Sequence, residues 1–260
     1  MRRLILEEPI SRTAAWSRRL AIFSLALMAV AVGLVRLRSV ELSAGMSVFA
    51  FAILAACGAL LLAGAGAVVI WRTGRRGVGA ALTGATLALA ALAWPIFLSA
   101  KAISLPMLND VSTDINGPPY FARSAQALAA RGGHAPGELE TERRLPQARA
   151  YPRVQPIILD LEADEAFQLA LRAAAAMGWE VVDQTRPGGR RGDGDGRIDA
   201  VARTFLLRFP DDVVVRVRPL AGQTRLDVRS VSRYGRHDFG VNAARIQAFA
   251  LALQAQLDAR

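Results

Sequence analysis

Three uncharged apolar runs in the first hundred residues, 20–35, 42–70 and 77–100, constrain this chain more than anything else in it. A helix crossing a bilayer core needs roughly 20 consecutive apolar residues, and the second and third runs exceed that. The first rises only about 24 Å at 1.5 Å per residue, slightly short for a span. Its flanking Arg18, Arg19, Arg36 and Arg38 can snorkel to the headgroups of a thin or thinned bilayer. Ala59, Ala63 and Ala67, like Ala81, Ala85 and Leu89, place small residues on one helical face, where helices approach closely. Trp71 and Trp94 sit near the ends of their runs, as interfacial aromatics do. A cleaved signal peptide is the rival for the first run. Arg36 and Arg38 follow it where a small-residue cleavage site would stand, and two more runs come after, so three packed spans within residues 20–100 are expected.

Arginine placement sets the expected topology. Five basic residues precede the first run, two lie in the first loop, three in the second, and Lys101 alone marks the exit. An inside N-terminus keeps eight of these in the cytoplasm against three outside, which the positive-inside rule favours. Residues 1–19 then form a cytoplasmic basic tail. The remainder emerges on the far side, the periplasm of a bacterial inner membrane.

The net charge of +10 has the same origin. Residues 1–108 hold 11 basic and 3 acidic side chains, whereas residues 109–260 hold 21 and 19. The excess marks orientation and contact with anionic headgroups, and nucleic acid is excluded as the partner. Cys57, the sole cysteine, lies in the second run, so neither an intrachain disulfide nor a cysteine metal cluster is possible. No residue set reads as a cofactor site.

The soluble part begins with residues 101–150, rich in proline, glycine and alanine, which read as an extended tether on the domain surface with a short helix near 121–130. Residues 151–260 then alternate in a recognisable order. An edge strand at 151–159 precedes a helix capped by Asp160, with Ala163, Phe167, Ala170, Ala174 and Met177 on its apolar face and Gly178 at its end. Strands follow near 179–184, 198–209, 213–219 and 224–233. Asn242 can cap a last helix striped by Ile246, Phe249, Ala250, Leu253 and Leu257. Short turns between successive strands imply an α+β layer: an antiparallel sheet of about five strands with two helices on one face.

Strand pairing follows by arithmetic. A turn at Ala221 and Gly222 makes partner numbers sum to 443, and a turn at Pro210 and Asp211 makes them sum to 421. Arg216 then faces Asp227, Val214 faces Arg229, and Arg218 faces both Arg225 and Arg203. Alternation sends Ile198, Ala200, Ala202, Leu206, Val213, Val215, Val217, Leu226 and Val228 to the helix side. The other side receives Arg203, Arg216, Arg218, Arg225, Arg229 and Arg233 with only Asp199 and Asp227. Like charges directly opposite destabilise a sheet unless something compensates. Anionic lipid headgroups or anionic envelope polymers would compensate, since guanidinium binds phosphate and carboxylate bidentately. The ordinary alternative is a solvated face neutralised by tether acids such as Glu138, Glu140 and Glu142.

Two further patterns weaken on inspection. Asp193, Asp195, Gly196 and Ile198 match the middle of a calcium loop, but Arg191 occupies the first ligand position and no carboxylate stands at the twelfth, so a hairpin loop is favoured and no metal is expected. His237 beside Asp238, with Ser230 and Ser232 upstream, suggests nucleophilic chemistry. Both serines, however, fall mid-strand on the helix side, and hydrogen bonding of the turn by Ser230, Ser232, Asp238 and Asn242 is the simpler role. Asp211 and Asp212 read first as the start of a hairpin.

Several blocks resemble a known family: LNDVSTD at 108–114, Pro118, Pro119 and Phe121, Tyr151 and Pro152, Gly178 and Trp179, the pair Asp211 and Asp212, and RSVSRYGRHDFGVNAAR at 229–245, which includes Arg245. The chain is similar to the DUF1499 family, a bacterial and plastid group defined by sequence, and members similar to this one carry N-terminal spans ahead of the domain. The resemblance implies an envelope protein and no particular reaction. The expectation is a membrane-anchored binding or interaction module. The alternative is an enzyme acting on lipid or glycan through Asp211, Asp212, Arg229, Arg233 and Asp238.

Overall fold

The computed structural model describes residues 8–188 and 194–259. Two compact units emerge, one built on residues 1–100 and the other on residues 101–205 and 209–260.

The first unit contains three helices long and apolar enough to cross a membrane: α1 (Arg12–Arg36), α2 (Leu42–Thr73) and α3 (Val78–Ser104). Helix α1 has 25 residues, about 37 Å at 1.5 Å each. It therefore extends through Arg18 and Arg19 and is not limited to the short apolar run. Close approach depends on small side chains. Ala14, Ser17 and Ala21 of α1, Ala52, Ala56, Ala59, Ala63 and Gly66 of α2, and Ala81, Gly84 and Ala88 of α3 are buried. The buried stripe takes Gly66, Gly84 and Ala88 where the sequence pattern pointed to Ala67, Ala85 and Leu89. Leu89 is half exposed. Ser17 also donates to the Ala59 carbonyl at 2.8 Å, an interhelical bond in place of an unsatisfied hydroxyl.

The second unit is the expected α+β layer, with one more strand than anticipated. Strands β1 (Asp110–Ser112), β2 (Ile157–Leu159), β3 (Glu180–Thr185), β4 (Gly196–Arg203), β5 (Pro210–Leu220) and β6 (Gln223–Ser232) pair antiparallel in the order β1-β6-β5-β4-β3, with β2 also on β6. The β5–β6 register runs Asp211↔Ser232 to Leu220↔Gln223, the sum of 443 inferred from the turn, and Gly222 takes the left-handed φ of 75° that this turn requires. The β4–β5 register differs. Arg203 faces Pro210 and Gly196 faces Val217, because β4 ends at Arg203 and residues 204–209 form the connection. The offset from the expected pairing is eight, an even number, so partners slide along the strand while every side chain keeps its face.

Helices α6 (Ala163–Ala176) and α7 (Val241–Asp258) cover the inner face. Phe167, Leu169, Ile198, Val213, Val215, Leu226, Val228, Ile246 and Phe249 are buried there, and Trp179 stacks on Phe249 at 5.1 Å. Each such aliphatic or aromatic side chain contributes about 1.5–3 kcal/mol on full burial. Leu206, expected among them, lies beyond β4 and outside this cluster. Neither helix uses its expected cap. Glu162 precedes α6 without a side-chain bond, and Asp160 accepts instead from Gln223. Gly240 precedes α7, whose first-turn amide at Asn242 is taken by the Asp238 carboxylate at 2.8 Å.

The largest departure from expectation concerns residues 101–150. From Asp110 onward they are part of the domain. Strand β1 extends the sheet, and α4 (Ala125–Ala130) and α5 (Thr141–Ala150) follow it. Gln147 of α5, 2 % exposed, donates to the Ser112 carbonyl at 2.6 Å and accepts from the Ser112 amide at 3.0 Å. One amide side chain thus satisfies an edge-strand residue that would otherwise present unpaired backbone.

Candidate functional site

The outer sheet face carries the six arginines singled out from the sequence, and every one has an acidic partner. Arg229 of β6 grips Asp110 of β1 through Nε at 3.0 Å and Nη2 at 2.7 Å, and also donates to the carbonyls of Pro119 and Gly137. Arg216 bonds Asp227 at 2.6 Å and Asp114 at 3.0 Å, and Arg225 shares the same two carboxylates. Arg233 holds Asp212 at 2.7 Å, Arg218 holds Asp195 at 3.2 Å, and Arg203 reaches Glu180 at 3.3 Å. The compensating acids are therefore Asp110 and Asp114 of the 101–150 segment together with carboxylates of the sheet. Glu138, Glu140 and Glu142 play no part in it. Burial alone would raise the Asp114 pKa, but the Gly117 and Asn116 amides with Arg225 and Arg216 outweigh it and hold the carboxyl below its ordinary value.

A residue absent from the sequence reading locks this face. Arg131, just after α4 and 1 % exposed, bonds the Asp199 carboxylate and donates to the Ala122 carbonyl at 2.7 Å, while its Nε lies 3.5 Å from Asp212. His134 Nδ1 meets Asp212 at 2.6 Å. Burial raises the Asp199 pKa even against the Ala122 amide, Arg131 and Arg197. The guanidinium carbons of Arg131 and Arg229 both lie over the Phe121 ring, at 5.2 and 5.3 Å, a cation–π arrangement.

Ser230, Ser232, Asn242 and Arg245 of the 229–245 block turn instead to the inner side of the sheet. Asp211 accepts from Arg245, whose Nη1 donates to Ser230 at 2.8 Å and to Asn242 Oδ1 at 2.6 Å. Ser230 donates to Asn242 Oδ1 at 2.7 Å, and Asn242 Nδ2 reaches Ser232 at 3.0 Å. Burial raises the Asp211 pKa, opposed by Arg245. His237 Nδ1 accepts from the Phe239 amide. Asp211 and Asp212 thus point to opposite faces of the sheet, and the five residues of the enzyme alternative do not line one pocket. Of the calcium-like pattern, Asp193 and Arg191 lie outside the described residues, and Asp195 is bound to Arg218.

Beside the arginine network the same face opens into a cleft of about 1220 Å³. Tyr120, Arg123, Glu138, Arg144, Asp183 and Arg197 are among the residues lining it, and Arg229 reaches its floor. Two of these cations differ from the six above. Among the described residues neither Arg123 nor Arg144 has an ion-pair partner, and the buried Nε of Arg144 has no hydrogen-bond acceptor. A buried N–H of this kind costs about 1–3 kcal/mol when unmet. Neither residue stood out in the sequence, since both fall in the stretch without periodicity.

The family model described as a protein of unknown function, DUF1499, matches residues 110–253, more than half of the chain. The chain belongs to the DUF1499 family. No curated protein matches it. The DUF1499 match begins at Asp110, the first residue of β1, and so takes in the segment that covers the outer face. The resemblance blocks now have structural roles: Asp110 and Asp114 of 108–114 neutralise Arg229, Arg216 and Arg225, and the 229–245 block ties β6 to α7 through Ser230, Asn242 and Arg245.

Proposed function

We propose that this DUF1499 protein is a membrane-anchored cell-envelope module that binds an anionic ligand in the cleft beside its arginine-rich sheet face. The observation that carries this reading is the pair Arg123 and Arg144, cations that line the cleft without an ion-pair partner among the described residues. A carboxylate or phosphate oxygen placed there would gain charge-assisted bonds from guanidinium groups that the sheet acids leave uncompensated. Arg229 and Arg197, already fixed by Asp110 and Asp199, add positive potential without having to reorganise. Arginine distribution around the three helices supports a cytoplasmic N-terminus in an inner membrane and a periplasmic domain, where such ligands are the headgroups and polymers of the envelope.

The test uses full-length protein in phosphatidylcholine nanodiscs, titrated with oligogalacturonate and with vesicles of equimolar phosphatidylcholine and phosphatidylglycerol. At least one of these anionic probes binds, and the double variant Arg123→Gln, Arg144→Gln loses about tenfold or more in affinity, the scale of one charge-assisted bond. Binding by neither probe, or equal binding by the variant, would overturn the reading.

A further inference from the structure

We infer that the ligand of this cleft is a carboxylated saccharide, a short run of sugar rings bearing uronate-type acids; the inference rests on the anion-binding reading above and sharpens it. The mixed charge of the lining is the first reason. Glu138, Asp183 and Asp195 stand among the arginines. A polyphosphate or a dense row of phosphate headgroups would bring its charges against all three acids. A saccharide carries its carboxylates sparsely and many hydroxyls between them. Hydroxyls donate to Glu138 and Asp183, while the carboxylates accept from Arg123 and Arg144, so both signs in the lining find partners.

Tyr120 is the second reason. It is 58 % exposed on the cleft wall, and the Arg197 guanidinium, itself held by Asp199 at 2.7 Å, lies 5.2 Å from its ring centroid. An oriented aromatic ring offers an electron-rich face to the C–H edge of a pyranose, whose hydrogens carry partial positive charge. Size points the same way. A volume near 1220 Å³ exceeds the upper range of typical small-ligand pockets, about 1000 Å³, and leaves room for more than one ring. A lipid would need an apolar wall for its chains, but Phe121 and Leu139 of the lining are 5 % and 4 % exposed and present little surface.

The experiment is calorimetric titration of the full-length protein in phosphatidylcholine nanodiscs with α-linked tetragalacturonate, its fully methyl-esterified form, and vesicles of equimolar phosphatidylcholine and phosphatidylglycerol. The acid tetramer binds, the uncharged ester binds at least tenfold more weakly, and Tyr120→Leu weakens the tetramer about fivefold whereas Tyr120→Phe does not, as a stacking contribution near 1 kcal/mol requires. Equal binding of ester and acid, or indifference to Tyr120→Leu, would overturn the saccharide assignment. If the vesicles bind in an Arg144-dependent way and the tetramer does not, the anion-binding cleft stands and the saccharide class falls. If no anionic probe binds, both fall.

Discussion

Arg229 and Asp110 form a two-pronged ion pair, Nε to Oδ1 at 3.0 Å and Nη2 to Oδ2 at 2.7 Å, that fastens the first strand of the domain to its last. Both side chains are almost fully buried. Removing one partner leaves a desolvated charge, which typically costs about 3–5 kcal/mol. Arg229→Gln and Asp110→Asn should therefore each lower the denaturant stability of the soluble domain by about 3 kcal/mol, followed by chemical unfolding of the detergent-purified protein. A loss near zero in both variants would mean that β1 is not held by this pair.

Asp114 supplies a pH signature. Its folded pKa is depressed below 3.8 because the Gly117 and Asn116 amides and Arg225 and Arg216 overcome the effect of burial. A depressed carboxyl contributes stability that is present above its unfolded value and is lost as pH falls through the folded one. The stability gap between wild type and Asp114→Asn should accordingly be full near neutral pH and close progressively below about pH 4. Unfolding free energies measured from pH 7 down to 3 check this, and a gap that widened on acidification would contradict it.

The membrane unit is sensitive at its glycines. A Cβ on Gly84 would lie 2.8 Å from the Arg18 amide nitrogen, and one on Gly66 would lie 2.9 Å from the Ala14 nitrogen. These contacts are with backbone, which cannot rotate away. Gly84→Val and Gly66→Val should force the helices apart, lower the thermal midpoint in detergent and increase proteolysis of the loops. Gly64→Ala, where a Cβ meets nothing, should leave both unchanged.

Much of this architecture was legible because its signals are periodic. The three apolar runs, the stripes of α6 and α7 and the alternation of β4, β5 and β6 each repeat at the spacing of their element. The β4–β5 register departs from the turn arithmetic by eight residues, yet the faces agree because the offset is even. Residues 110–150 were not legible for the opposite reason. Scattered among their buried groups are Asp110, Arg131 and Gln147, polar side chains that bury only because distant partners meet them, and no local pattern announces such a partner. One trace was present: six arginines against two acids on one face meant that acids had to come from elsewhere. They come from Asp110 and Asp114, nearer the domain's start than the tether glutamates, and from Glu180, Asp195 and Asp212. Arg123 and Arg144, without an ion-pair partner among the described residues, stand out only once the other six are seen to be occupied.

That division between the occupied arginines and these two is tested most directly by comparing two double variants in nanodiscs, with affinity for whichever anionic probe binds wild type and the unfolding midpoint read on the same samples. Arg216→Gln with Arg225→Gln should lower the midpoint and leave affinity within about twofold, and Arg123→Gln with Arg144→Gln should leave the midpoint in place and weaken binding about tenfold or more. The reverse pattern, with affinity abolished by the Arg216 and Arg225 changes at an unaltered midpoint, would contradict the account.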